Sequence, residues 1–287
     1  MSFSPRVLLS IDYEPWFALS ARSDAIGDAI QRKALDQGFV DEALPRILEQ
    51  LGDKKASFYI VGEIADWYPR IPEQILEAGH ELGLHCQRHR SLIDVVELAA
   101  DIKAAEPLIR RFGMRGYRAP MVGIDEGGYE LLAREGFLYS SSVYAPAGTL
   151  LSKRGIWELP VSTLRVIGRR NHYTAPVDFS RSLLASGEIP YGSSFSIGLC
   201  SGLVLRILES ELRADRNPVI ILHPYELVQP VGWPSQISKD LLRNPFLWPF
   251  AWSKSGFLSE LVRSLPVSPL IDYVEAMQSR AVSGSEV

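Results

Sequence analysis

The chain is 287 residues long, 46% apolar and 22% charged, a composition that can bury a full core without disulfide or metal staples. A formal net charge of −4 and a pI near 5.8 give no electrostatic footprint for nucleic acid, and no run of Lys or Arg offers a grip on an anionic membrane. Two cysteines, Cys86 and Cys200, make no disulfide framework, so reduced thiols are expected. The first residues lack the charged and apolar regions of a secretory leader, and no window reaches the length of a membrane-spanning helix. A cytoplasmic location is the resulting expectation.

In chain order, residues 7–11 are a short apolar run that predicts a buried strand ending at Asp12-Tyr13-Glu14. Residues 41–51 have helical spacing (Leu44, Ile47, Leu48, Leu51) and close at Gly52. A second strand is expected over 56–61. Helix follows over 64–78, ended by Gly79, and Pro72 can open a second helix within it. Residues 81–85 predict a third strand. Residues 92–112 predict a long amphipathic helix with Val95, Leu98, Ile102, Leu108 and Ile109 on its apolar side, ended by Gly113. Further strands are expected over 116–118, 137–143, 157–161 and 219–222, with helices over 127–134 and 199–212. This alternation implies parallel strands joined by crossovers, in an α/β barrel or a doubly wound sheet. Asp12, His85, Arg118 and His223 each stand just after a strand, which favours the barrel. Residues 232–252 carry Trp233, Phe246, Trp248, Phe250 and Trp252 among three prolines. They are expected to form an irregular lid or closure within 228–256. Packing is the plainer role for the aromatics, and a membrane interface or a lipid tail is the other. With no internal repeat and no linker, residues 1–278 are expected to be a single domain and 279–287 a flexible tail.

His85 and His89 lie four apart, and one helical turn would let both reach one metal ion. The plain alternative is a pair of surface histidines. Asp12 and Glu14 alternate along an extended stretch and point the same way, at a buried strand end where charge is costly unless paired or metal-bound. Arg118 at another strand end can keep a carboxylate ionised. His223 can serve as a general acid near neutral pH, or can be a structural histidine bonded to a carbonyl. His80 is expected to be structural. Cys86 should point away from the His85 side, and Glu226 should be solvated.

Taken together and in order, Ile11-Asp12-x-Glu14, the run from Gly79 through His85 to His89, Tyr117-Arg118-Ala119-Pro120 and Leu222-His223-Pro224 resemble the polysaccharide deacetylases (carbohydrate esterase family four, the NodB homology domain). Ser140-Ser141-Ser142 and Glu158-Leu159-Pro160-Val161 are similar to a bacterial branch linked to surface polysaccharides. The resemblance runs from about residue 7 to about residue 226, and its specificity lies in the order of the motifs. It implies an α/β fold, a deformed (β/α)7 barrel. It also implies a metal-dependent N-deacetylase acting on the acetamido group of an amino sugar. That sugar would be nucleotide-linked, lipid-linked or part of an oligosaccharide, in surface glycan or lipopolysaccharide biosynthesis. Asp12 would be the base, held by Arg118. Glu14, His85 and His89 would ligate the metal, and His223 would be the acid. The Met121 backbone N–H would meet the oxyanion, with Tyr117 near substrate; His172, in a segment without a counterpart in the family, could touch substrate or sit on a loop.

Zn²⁺ is the simplest metal for three such ligands, with Co²⁺, Fe²⁺ and Mn²⁺ as alternatives. Contact with a lipid carrier is a further expected partnership. The chain departs from the family's usual first motif, two adjacent aspartates, because its second acid is Glu14, with one methylene more of reach. The family's fourth motif has only Trp157 and Asp178 as candidates. Rival functions are a deformylase or another non-peptide amidase, a non-catalytic carbohydrate-binding protein and, last, a two-carboxylate glycosidase.

Overall fold

A computed structural model describes residues 3–19, 26–166 and 187–284. Its strands are β1 (Val7–Tyr13), β2 (Ser57–Val61), β3 (Glu81–Cys86), β4 (Gly116–Tyr117), β5 (Tyr139–Ser140), β6 (Tyr144–Pro146), β7 (Leu151–Lys153), β8 (Ile156–Glu158), β9 (Val161–Arg165), β10 (Glu188–Ile189), β11 (Val219–Leu222) and β12 (Val267–Ser268). One curled sheet runs β11-β1-β2-β3-β4-β5-β8-β7, with β12 also on β1. From β11 through β8 every pairing is parallel. β1, β2 and β11 are buried along their whole length, as strands covered on both faces must be.

The far side of the sheet is built from broken strands. β6 pairs in parallel with β9 and continues the β5–β8 pair past an irregular stretch, which the Leu159 N–H to Ser140 carbonyl and Val161 N–H to Val143 carbonyl bonds carry across. The ring then closes through Gly192, beside a direct bond from the Val219 N–H to Ser162 Oγ at 2.8 Å. The Gly192 N–H donates to the Ser162 carbonyl at 2.9 Å, and the Gly192 carbonyl accepts from the Ile221 N–H at 2.8 Å. A Cβ on Gly192 would lie 2.3 Å from the Val219 carbonyl oxygen, so glycine is required for this approach. The result is the expected deformed barrel, with seven parallel positions among the described residues (β1, β2, β3, β4, β5–β6, β8–β9, β11), rather than a doubly wound sheet.

Outside the strands lie α1 (Ala29–Asp36), α2 (Phe39–Leu51), α3 (Gly62–Trp67), α4 (Ile71–Glu77), α5 (Val95–Phe112), α6 (Glu126–Arg134), α7 (Ser194–Arg213), α8 (Pro224–Leu227), α9 (Trp233–Arg243), α10 (Trp248–Ala251), α11 (Ser255–Ser264) and α12 (Leu270–Gly284). Local chemistry sets their ends. The Asp94 carboxylate accepts the Val96 and Glu97 N–H groups to start α5, and Gly113, at φ 60°, ends it. Pro72 stands in the first turn of α4 and divides the 64–78 stretch as expected.

Two expectations are corrected. Residues 232–252 are largely helical, because Pro234, Pro245 and Pro249 sit in first turns, where a missing N–H is harmless. The last helix runs on to Gly284, through most of the expected tail. Both cysteines are unpaired, and Cys86 is buried in the main core cluster. Among the described residues no helix is long and apolar enough to cross a membrane.

Candidate active site

The site forms where β1, β3 and β11 end together, on the face that parallel barrels use for chemistry. Asp12 and Glu14 are each 3% exposed at the end of β1. His85 is the penultimate residue of β3, and His89 follows on the next loop. The pair therefore does not share a helical turn, as the spacing had suggested. A strand end and a tight loop bring the two rings together instead, with centroids 5.2 Å apart. Asp101 on α5 shapes that loop by accepting the Gln87 N–H at 2.6 Å and the Arg88 N–H at 3.4 Å.

The imidazole orientations follow from hydrogen bonding. His85 Nδ1 lies 2.8 Å from the Arg118 carbonyl, which can only accept. Nδ1 therefore carries the proton, and Nε2 presents a lone pair to the site. Glu14 Oε2 is 3.5 Å from that Nε2 and 3.0 Å from His89 Nε2. It is buried with no hydrogen-bond donor. The three ligand atoms lie within 4.8 Å of one another. A buried carboxylate oxygen and two imidazole nitrogens meet at one point, a donor set that could hold a divalent transition metal. Burial would raise the Glu14 pKa, but His89 and His85 hold it well below the usual carboxylate range. Burial would lower that of His89, yet Glu14 pulls it up. The Tyr225 hydroxyl donates to Glu14 Oε1 at 3.0 Å and fixes the carboxylate.

Arg118 is fully buried beneath Asp12. Its guanidinium lies 3.4 Å from Asp12 Oδ1, 3.2 Å from Ser10 Oγ and 2.9 Å from Ser141 Oγ, over the Tyr59 ring. Ser142 Oγ accepts the Ala119 N–H, and buried Glu158 accepts the Ser142 N–H. The serine run thus braces the turn that carries Arg118.

His223 faces the same centre from β11, with Nε2 3.9 Å from Glu14 Oε1. Its ring stacks on Tyr225 at 5.2 Å, and its Nδ1 lies 3.2 Å from Glu226 Oε2 and 3.3 Å from Ser194 Oγ. Burial alone would lower its pKa, but Glu226, with Glu14 and Asp12, raises it to about 9. Glu226 is fully buried, paired with His223 and with Lys254 at 3.0 Å. The expectation of a solvated Glu226 is therefore overturned, because a lysine from much later in the chain folds onto it.

A pocket of about 460 Å³ joins Asp12, Glu14, His85, His89 and His223 to Met121, Ser193 and Ser194. Its walls are apolar: Leu19, Val122, Tyr144, Ile221, Leu247 and Phe250. Met121 and Val122 hold left-handed backbone, at φ 56° and 54°, a strained corner that for a β-branched valine is a real outlier. Tyr117 is not brought to the pocket. Strand alternation turns it from the Arg118 side into the core, where it meets Phe137 edge-on at 5.7 Å. Trp157 packs in a separate cluster with Leu8 and Tyr59. His172 and Asp178 fall outside the described residues. His80 is structural, with Nδ1 accepting the Ala56 N–H and burial lowering its pKa to about 4.

No family model matches the sequence. A peptidoglycan deacetylase-like protein of Gibberella zeae is 29% identical over 113 residues, 35% of this chain. The chain thus spans about a third (31%) of that relative's length. Among solved structures, a Mycobacterium smegmatis protein described as a putative polysaccharide deacetylase aligns with a TM-score of 0.61 at 19% identity, over 98% of this chain and 94% of that one. PuuE allantoinase aligns at 0.57 and 15% identity, over 96% and 90%. A Pseudomonas aeruginosa protein described as a probable polysaccharide deacetylase aligns at 0.52 and 13%, over 91% of each chain. The fold is that of the polysaccharide deacetylases.

Proposed function

We propose that this chain, folded as the polysaccharide deacetylases are, is a metal-dependent amide hydrolase that removes an acetyl group from an amino sugar. The observation that carries the reading is the buried, donor-less Glu14 Oε2 between two imidazole nitrogens, in a pocket shared with Asp12 and His223. Glu14, His85 and His89 would hold a divalent ion, most simply Zn²⁺, which when bound would supply Lewis acidity toward the amide carbonyl and lower the pKa of attacking water. Asp12, oriented by Arg118, takes the proton from that water. His223 delivers its proton to the departing sugar amine. The Met121 N–H, on its strained turn, is the candidate donor to the oxyanion.

The apolar pocket walls, with Phe246, Trp248 and Trp252 half-exposed nearby, favour a substrate with an apolar portion, such as a lipid-linked amino sugar of surface glycan or lipopolysaccharide biosynthesis. The test is acetate release from nucleotide-linked and lipid-linked N-acetyl amino sugars, with elemental analysis of the same protein and of His89→Ala. The expected result is chelator-sensitive release and metal lost with His89. Full turnover by metal-free protein would end the reading. A second reading, hydrolysis of a different amide, is favoured by the likeness to an allantoinase. Formate release from the corresponding N-formyl amino sugars would select the deformylase form of it.

A further inference from the structure

Lys254 is 2% exposed, and nothing in the chemistry above uses it. Its ammonium lies 3.0 Å from Glu226 Oε1 and donates to the Pro249 carbonyl at 2.9 Å, with the Trp252 carbonyl at 3.4 Å. Its backbone N–H donates to the Glu226 carbonyl at 2.7 Å. Glu226 in turn accepts the His223 N–H at 3.0 Å and faces the His223 ring nitrogen Nδ1. Of the carbonyls that Lys254 holds, Pro249 lies within α10 and Trp252 just after it, and Phe250 on that helix lines the pocket 6.3 Å from the His223 ring. A buried lysine costs stability unless fully paired, and this one finds its partners on the proton donor's carboxylate and on the pocket wall.

We propose that Lys254 is a positioning residue that ties the His223 proton donor, through Glu226, to the aromatic wall of the pocket. One arm fixes the carboxylate that orients the imidazole. The other pins residues 249–252, so that Phe250 packs against the same ring. The kinetic half of this proposal rests on the deacetylase reading; the structural half does not.

The test compares E226Q, K254M and the E226Q/K254M double variant. The amide introduced by E226Q keeps the shape of the side chain and an acceptor for the His223 N–H, so a packing role alone would leave E226Q at wild-type rate. The expected result is a kcat loss of about tenfold or more for E226Q with unchanged KM and metal content, as for partners that orient a functional histidine. K254M should lower kcat similarly and also raise KM. The double variant, which leaves no orphaned charge and so folds even where K254M does not, should have a kcat no lower than E226Q alone. Hydrogen–deuterium exchange of residues 247–252 should quicken in K254M and in the double variant, but not in E226Q. Additive kcat losses, or wild-type exchange in both lysine variants, would overturn the proposal. A wild-type protein inactive on every acylated amino sugar would remove the deacetylase reading, and the exchange result would still judge the coupling.

Discussion

Asp12 and His223 line one pocket but come from opposite ends of the chain, and each has a buried partner that sets its direction. Asp12→Asn and His223→Ala should each keep the fold and the metal while losing at least about two orders of magnitude in kcat. Near-normal turnover by either variant would remove its assigned role. Asp36 answers to different physics. Burial raises its pKa to about 7, against weaker help from the Val40 N–H and the Tyr68 hydroxyl. Between its ordinary value and 7 the unfolded chain releases a proton that the folded protein keeps, so this group erodes stability as pH rises through that window. Asp36→Asn should therefore stabilise the protein by about 1–3 kcal/mol at pH 8 and by less at pH 5. Urea unfolding at both values checks it, and an equal gain at both would contradict it. Most of the polar side chains that meet in the pocket stood out in the sequence because they follow apolar strands, His89 alone through its spacing from His85. Lys254 and the true state of Glu226 did not, because a pairing between distant positions leaves no periodic trace.

At the scale of elements, the His85–His89 spacing carried the right consequence through the wrong geometry. Four residues along a helix or across a strand end and a loop can both converge; here Asp101, on α5, and the Glu63 N–H on the Gln87 carbonyl hold the loop. Asp101→Ala should strip two N–H groups of their acceptor and lower metal affinity by roughly 10–100-fold, as losses of outer partners do. Competition with a chromogenic chelator would measure it, and unchanged affinity would show that the loop holds itself. Apolar runs marked β1 and β11 because both are buried on two faces. β6 and β9 were less visible, because they are short continuations of broken strands. The stretch 232–252 was expected to be irregular, although its prolines, in first turns, start helices.

For the whole molecule, closure of the ring depends on Gly192, where no side chain fits between two backbones. Gly192→Ala should destabilise by about 1–3 kcal/mol or more, since the obstructing atoms are carbonyl and amide rather than flexible side chain. A wild-type unfolding midpoint would show that the seam can widen. A single glycine among 22 announces none of this in sequence. β1 is flanked by β2 on one edge and by β11 on the other, from far along the chain. That arrangement imposes a timetable on biosynthesis. A ribosome has delivered Glu14, His85 and His89 before it reaches residue 90, yet Tyr225 and the proton donor emerge more than a hundred codons later. The three facing side chains are therefore made first, but Asp101, the Arg118 carbonyl and Tyr225, which orient them, are made later, so the centre takes shape only when β11 docks against β1.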